Sequence, residues 1–499
     1  MNFLGIDVGT SGSRAILINA DGAIIASAAV EHAAFAAPRI GWAEQNPEDW
    51  WRAAKTAIRQ ILKGENVKAE EIGAIGLSGQ MHGAVLLDEA DEVLRPAIIW
   101  CDQRTEKQCR ELTARVGAEK LIEMVSNPAL TNFTLPKLLW TRENEPEIWR
   151  KVRAVLLPKD YIRLRLTGDR ATDVADASGT LLLDVRNRRW SSELLAAVEM
   201  SAKLLPELFE SPEITGTISA ECAAATGLKK GMLVVAGAGD NAAGAVGMGI
   251  VQSGSLSATI GTSGVVFAVT NEPSIDLKGR IHTLCHAVPG RWHVTGVTQA
   301  AGLSLRWFRD NFGAGESYDF LVGEAARIPA GANGLFWTPY LMGERTPHID
   351  PKTRASLIGL TASHTRAHVV RAILEGVAFS LRDSIEIFKE LNIPVQTIRL
   401  GGGGASSAFW RQIQADVYGQ TVEIVEAEEG AAYGAALLAG VGGGCWKTVD
   451  EACAATVRAA ERIEPNAENA ETLNRQYKIY RTIYPLLRPL VEAINSTNS

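Results

Sequence analysis

The chain has 499 residues, 46% hydrophobic and 21% charged, with a net charge of −7. That is too long for one core and, at ~150 residues per domain, suggests two large domains, while the composition excludes disordered, collagen-like and membrane-embedded classes. The acidic balance without clustered Lys and Arg argues against nucleic acid as a partner, six cysteines without a Cys-x-x-Cys pair point to a reduced cytoplasmic protein, and neither a signal peptide nor a ~20-residue apolar span is visible.

In chain order, residues 3–8 and 15–18 are apolar runs around Gly9-Thr10-Ser11-Gly12 and predict two strands joined by a tight turn. Asn19-Ala20-Asp21-Gly22 supplies a second turn, and residues 23–30 return as a third strand. A helix follows: Asn46 caps it, Pro47 fits its first position, Trp50, Ala53, Ala54, Ala57, Ile58 and Ile61 recur at helical spacing, and Gly64 ends it. Residues 72–77 read as a strand entering Ser78-Gly79-Gln80-Met81-His82-Gly83, with 84–87 continuing beyond. Hairpin strands followed by alternating helix and strand indicate an α/β domain with a mixed sheet. Residues 106–221 carry helical stretches, with 172–184 a polar insertion among them. A strand at 232–236, the loop Gly237-Ala238-Gly239-Asp240-Asn241 and a small-residue helix at 242–248 close the first domain, set at residues 1–249.

The second domain, residues 250–499, repeats the plan. A hairpin surrounds Gly261-Thr262-Ser263-Gly264, residues 292–297 form a third strand, and a helix spans 303–312. Such agreement in order is what a duplication predicts. A loop-rich insertion at 331–350, a long amphipathic helix at 368–391, a strand at 398–400 and a helix at 409–418 follow. Residues 422–425 and the helix 430–438 close the domain, and the tail to 499 reads as helical and peripheral.

The two Gly-Thr-Ser-Gly turns are candidate phosphate cradles, because closely spaced N–H donors reach an anion only where side-chain bulk is absent. One copy alone reads equally as a plain hairpin turn; two matched copies favour function. Asp7 lies within an apolar strand, where a carboxylate is costly unless it is paired or serves a cation, and a magnesium ion on a nucleotide would satisfy it through water. An edge-strand carboxylate facing solvent, or one pairing with Arg14, is the rival reading. Asp240 follows a buried-looking strand and can cap the next helix, and at that strand end it is also placed to take a proton from an acceptor hydroxyl. The run Gly401-Gly402-Gly403-Gly404-Ala405-Ser406-Ser407 is a third nucleotide candidate, although it lacks dinucleotide spacing, and no P-loop occurs. Met81 and His82 sit on a strand-exit loop, and Trp100-Cys101-Asp102-Gln103-Arg104 offers the aromatic and charged mixture that sugars favour; the bland alternatives are a core Met, a structural His and a surface ion pair next to a buried Trp.

Together these stretches resemble the FGGY family of carbohydrate kinases over nearly the whole chain. The resemblance rests on Gly5-Ile6-Asp7-Val8-Gly9-Thr10-Ser11, Gly79-Gln80-Met81-His82-Gly83, Leu156-Leu157-Pro158-Lys159-Asp160-Tyr161, Gly239-Asp240-Asn241-Ala242-Ala243-Gly244, Gly261-Thr262-Ser263-Gly264 and Gly343-Glu344-Arg345-Thr346-Pro347-His348. One family signature near Trp140 is looser, with Asn132 at a position usually small or aromatic. The resemblance implies two ribonuclease-H-like α/β domains of the actin, hexokinase and heat-shock ATPase superfamily, closing over a cleft. It implies ATP and Mg²⁺ as cofactors, a small sugar as substrate, and often a homodimer. It makes Asp240 the catalytic base, gives Asp7 the metal and phosphates, and assigns the sugar to Met81, His82, Asp240 and Asn241 with Trp100 and Asp102 as neighbours. Thr10, Ser11, Gly261, Thr262, Gly403, Gly404 and Ser407 fall to the nucleotide. The Gln80-Met81-His82-Gly83 run is more typical of members acting on D-xylulose than of those acting on glycerol or ribulose. Another family sugar, or an actin-like ATPase with no small acceptor, is the alternative.

Overall fold

Strand β1 (Asn2–Val8) is apolar on both faces because both are covered. It pairs antiparallel with β2 (Gly12–Asn19), which pairs with β3 (Ile24–Glu31). Helix α1 (Pro47–Leu62), capped by Asn46 with Pro47 at its start, crosses one face and returns the chain to β4 (Ile72–Gly79), parallel to β1. After helix α2 (Pro158–Thr167) come β5 (Ile214–Thr217), β6 (Leu233–Val235) and the short β7 (Ala238–Gly239), which lies along the end of β4. The sheet order is β5-β6-β4-β1-β2-β3. Helix α3 (Asp240–Gly247) leads out of it. This computed structural model describes residues 1–65, 67–426 and 430–497.

The second half rebuilds that sheet. Strands β8 (Ser255–Ile260), β9 (Gly264–Thr270), β10 (His282–Cys285) and β11 (Trp292–Thr298) are followed by α4 (Ala301–Phe312), α5 (Arg366–Glu390) and β12 (Thr397–Gly401). Helix α6 (Ala408–Tyr418), β13 (Val422–Val425), α7 (Gly430–Gly442), β14 (Ala459–Ile463) and α8 (Ala467–Ser496) complete it. The order is β10-β11-β9-β8-β12-β13-β14. Strands β11-β9-β8-β12-β13 match β3-β2-β1-β4-β6 in order and direction, so the duplication expected from the two hairpins is real at the level of topology.

Period-two alternation divides the first sheet's side chains. Leu4, Ile6, Val8, Leu17, Ile75 and Leu77 pack under α1, while Phe3, Ile16, Ile18 and Ala74 pack under α7. On the α7 side the sheet carries Gly5 and Gly76, because a Cβ there would run into the carbonyl oxygens of Ala432 and Ala435. Helix α7 therefore lies on the first sheet, although it follows β13 of the second in the chain. Its Gly434 meets Ala243 and Gly247 of α3 with no room for a side chain, and α3 turns Ala245 toward Phe267 and Val269 of the second sheet.

Two expectations change. Residues 172–184, read as a polar insertion, are buried from Thr172 to Leu183. Their carboxylates Asp173 and Asp176 are matched by Lys159 on α2, a cross-chain compensation that a local reading of polarity does not see. The tail is helical but not merely peripheral: Tyr477 donates to Asp383 of α5 at 2.6 Å and Tyr480 lies 3.2 Å from the Tyr340 hydroxyl. Its last two residues lie outside the described ones.

Candidate functional site

The floor of the site is the end of β1. Asp7 stands opposite Arg14 on β2 and Ser78 on β4. Burial pushes its carboxyl up to about 6, against the Ser78 hydroxyl and the Arg14 charge, and its Oδ1 has no hydrogen-bond partner. The turn beyond it, closed by Gly9 N–H to Gly12 O at 3.0 Å, is held from the side. Gln45 donates to Thr10 O at 2.7 Å and Gln80 donates to Gln45 Oε1 at 2.9 Å. The Thr10 hydroxyl donates to Gln80 Oε1 at 3.3 Å and accepts from the Trp100 indole at 2.9 Å. Gln45 and Gln80 were not singled out from sequence, since two isolated glutamines give no local signal of such a network.

Asp240 begins α3 immediately past β7. It is the first helical residue, with Gly239 as the cap, so the capping role expected of it is not observed. Burial, and after it the Asp7 charge, raise its carboxyl to about 7 against the opposing pull of the Asn241 N–H, bonded to Oδ1 at 2.7 Å. Gly237 is required here, at φ +73° with the Leu77 carbonyl filling the space of a Cβ. Met81 lines the same corner: Asn241 Nδ2 approaches its sulfur at 3.6 Å. Beneath lies a fully buried cluster in which Lys159 pairs with Asp160 at 2.5 Å and Asp173 at 2.7 Å, and approaches Asp176 at 3.6 Å. Burial raises the Asp176 carboxyl well above its usual range despite Lys159, and the nearby carboxylates, Asp240 included, add to the rise.

His82 forms the adjoining wall in the left-handed region, at φ +69°. Its backbone oxygen accepts from Lys137 at 3.0 Å and Thr134 at 3.1 Å, and these bonds hold that conformation. Its Nδ1 lies 2.7 Å from Gly179 O. A carbonyl only accepts, so Nδ1 carries the proton. Burial, reinforced by the Lys137 charge, holds the ring down at about 3, so it is neutral and Nε2 is an acceptor. Phe133 meets the ring edge-on at 5.1 Å and meets His282 of β10 edge-on at 5.6 Å, linking the two domains.

Across the cleft, the second turn is closed by Gly261 N–H to Ser263 O at 2.9 Å, and α4 is tied to it by Gly302 N–H to Gly261 O at 2.9 Å and Leu303 N–H to Thr262 O at 3.1 Å. It is three residues long where the first has four, because the last ladder pair is Ile260 with Gly264 rather than Val8 with Ser13. The glycine run leaves β12 beside it: Gly402 sits at φ +72°, and a Cβ on Gly402 or Gly404 would strike Ile260. The Ser407 hydroxyl caps α6 by accepting from Trp410 N at 3.4 Å, which leaves its O–H to donate to a ligand.

The structure thus brings Asp7, Thr10, Ser11, Met81, His82, Trp100, Asp240 and Asn241 to one side, and Gly261, Thr262, Gly403 and Gly404 to the other. It does not bring Asp102. That carboxylate is fully buried, accepts from Ala43 N at 2.6 Å and is forked by Arg104 at 2.7 to 3.0 Å, leaving no oxygen for a sugar. The ion-pair alternative holds for its partner but not for its place: the pair is buried rather than at the surface, and Trp100 beside it is exposed.

Comparison with known proteins agrees with this architecture. Residues 2–247 match the N-terminal domain, and residues 256–443 the C-terminal domain, of the FGGY family of carbohydrate kinases. The chain is 42% identical to the xylulose kinase of Bacillus subtilis over 493 residues, covering 99% of this chain and 98% of that one. The crystal structure of xylulose kinase from Rhodospirillum rubrum superposes with a TM-score of 0.92 at 30% identity, covering 99% of this chain and 100% of that one. That of gluconate kinase from Lactobacillus acidophilus does so with a TM-score of 0.92 at 27% identity, covering 97% and 98%. With two matched domains facing one cleft and two buried carboxyls at its floor, the chain belongs to the FGGY family of carbohydrate kinases.

Proposed function

We propose that this kinase transfers the γ-phosphoryl group of ATP to the primary 5-hydroxyl of D-xylulose, giving D-xylulose 5-phosphate and ADP. The observation that carries the reading is Asp240: a carboxyl raised to about 7, at a strand end beside Asp7, Met81 and His82. A base with that affinity can hold the acceptor's proton near neutral pH. The names of the relatives supply the sugar.

In this reading the sugar lies on residues 1–249 and the nucleotide on residues 250–499. Met81 and the acceptor nitrogen of His82 orient the sugar, with the exposed Trp100 at its rim, and Asp240 takes the proton of the attacking hydroxyl. The backbone N–H groups of the two turns, with Gly403 and Gly404, cradle the phosphates. Among the described residues no three His, Cys, Asp or Glu side chains converge as a cation cage. The unpartnered Oδ1 of Asp7 nonetheless fits a hard ion carried in largely by the nucleotide and its own water. When bound, Mg²⁺ would neutralise charge developing on the phosphates. Phosphoryl transfer then depends mainly on positioning, and closure excludes water as a competing acceptor.

The test is a coupled ADP-release assay over D-xylulose, L-ribulose, gluconate and glycerol. D-xylulose is expected to show the highest kcat/KM. A higher value for any other member of the panel would replace the substrate while keeping the enzyme class.

A further inference from the structure

Arg345 of the second domain is a cation that, among the described residues, no side chain or backbone group engages. Arg345 lies in the loop after the strand Phe336–Thr338, and that loop is pinned to β11. Thr346 N donates to Val297 O at 3.0 Å, and Val297 N donates to the Thr346 hydroxyl at 3.0 Å. Glu344 Oε1 accepts from Gln299 N at 2.9 Å and from Arg345 N at 2.8 Å. The Thr346 hydroxyl also donates to Arg280 O at 2.7 Å, two residues before His282. His282, Phe133 and His82 are in edge-on succession, so Arg345 is fixed where the second domain meets the sugar-side wall of the first.

The Arg345 guanidinium is half-buried, yet among the described residues no hydrogen bond or ion pair engages it. Glu344, its sequence neighbour, spends its carboxyl on backbone N–H groups and on the Ser380 hydroxyl at 3.3 Å. Partly withdrawing a cation from water without a partner is costly, so an outside group is the natural complement. Its position along the pocket is also marked. After burial, the Arg345 charge helps to depress His282 and, behind Lys137, His82. Together with the pinned loop, this sets Arg345 on the His82–His282 side of the pocket.

We propose that Arg345 is a specificity-determining residue that donates to the acceptor's carbonyl end and, from the second domain, makes the closing contact depend on the acceptor. The proposal rests on the sugar-kinase reading above. Its chemistry is complementary to that of His82. The neutral imidazole accepts a hydrogen bond from a hydroxyl at Nε2, while the planar guanidinium donates to an oxygen that cannot donate back. Side by side the two read a hydroxyl next to a carbonyl, the α-hydroxy ketone end of a ketose, and a polyol gives the guanidinium no carbonyl.

The experiment compares full-length wild type, Arg345→Met and Arg345→Lys by equilibrium titration and initial-rate kinetics with D-xylulose, xylitol and glycerol. Losing a hydrogen bond from a charged donor should raise the dissociation constant and KM for D-xylulose by ~10- to 100-fold in Arg345→Met. Weak binding of xylitol and glycerol should change far less, so the preference for the ketose collapses. Arg345→Lys keeps the charge without the fork and should fall between. An unchanged affinity for D-xylulose, or an equal loss for all three acceptors, overturns the proposal. Should Arg345→Met fail to fold, Arg345→Lys carries the test alone: an affinity equal to wild type overturns it, and a selective loss on the ketose sustains it. If wild type prefers another sugar in the panel assay, the substrate reading fails, and the variant-to-wild-type ratio on that sugar and its reduced form still reads Arg345.

Discussion

Asp7 raises the carboxyl of Asp240: the first lies at the end of β1 opposite Ser78, the second just past β7 where Gly239 pairs with Gly79, and the charge of one opposes ionisation of the other. A base tuned by its neighbour leaves a pH signature. Asp240 must be ionised to accept a proton, so kcat/KM should fall below about pH 7, following its raised carboxyl. Asp7→Asn removes the opposing charge and should move that acid limb to lower pH in whatever activity remains. A limb that stays in place in Asp7→Asn would show that another group sets it.

Replacing the base isolates its share of the rate. Asp240→Ala should lower kcat by the ~10²–10⁴ typical of a general base while nucleotide affinity stays near wild type. Single-turnover rates and ADP titration measure the two quantities. Near wild-type turnover would remove Asp240 from the mechanism.

The buried cluster beneath the site predicts a pH-dependent loss of stability. Lys159→Met leaves Asp160, Asp173 and Asp176 without their shared cation and should cost ~3–5 kcal/mol. The sign follows from the raised carboxyls of Asp173 and Asp176: the folded state binds their protons more tightly than the unfolded chain. Their contribution is complete below the unfolded carboxyl range and fades as pH rises through the folded values. Urea unfolding should therefore show a larger deficit for Lys159→Met at pH 8 than at pH 5. An equal deficit at both would mean the cluster does not titrate in this way.

The helix crossing offers a steric test. A methyl at Gly434 would occupy the place of the Ala243 carbonyl oxygen, so Gly434→Ala must push α7 and α3 apart. Overpacking of this kind costs ~1–3 kcal/mol. The thermal midpoint should drop accordingly, while Gly419→Ala, which meets nothing within 4 Å but keeps a φ of +61°, reports backbone strain alone.

Closure can be followed in solution. Scattering curves should show compaction when D-xylulose binds, and ATP hydrolysis without sugar should be slow. Superimposable curves with and without ligand would count against a closing cleft.

What was legible in the sequence is what local chemistry encodes. The two Gly-Thr-Ser-Gly turns, the Asn46-Pro47 start of α1 and the carboxyl at the exit of a buried strand all announce themselves within a few residues. The family motifs then supplied the two-domain plan. What escaped depends on partners far apart in the chain. Asp173 and Asp176 looked like loop polarity because Lys159, which makes their burial tolerable, sits on another element. Asp102 looked available because nothing nearby in sequence shows that Ala43 N–H would claim it. The packing of helix α7 against the first sheet escaped as well, because the glycines that receive it, Gly5 and Gly76, lie in strands far away in the chain.

The two matched turns are alike in letters and unlike in what remains for a ligand to do. The Thr10 hydroxyl already has a donor in Trp100 and an acceptor in Gln80, and its carbonyl is held by Gln45. The hydroxyls of Thr262 and Ser263 are exposed, and the second turn is held through its backbone. Anchoring a phosphate at the first turn should thus freeze few torsions, whereas engaging the second must arrest side chains that rotate freely. One duplicated hairpin has thus come to serve as template and the other as clasp.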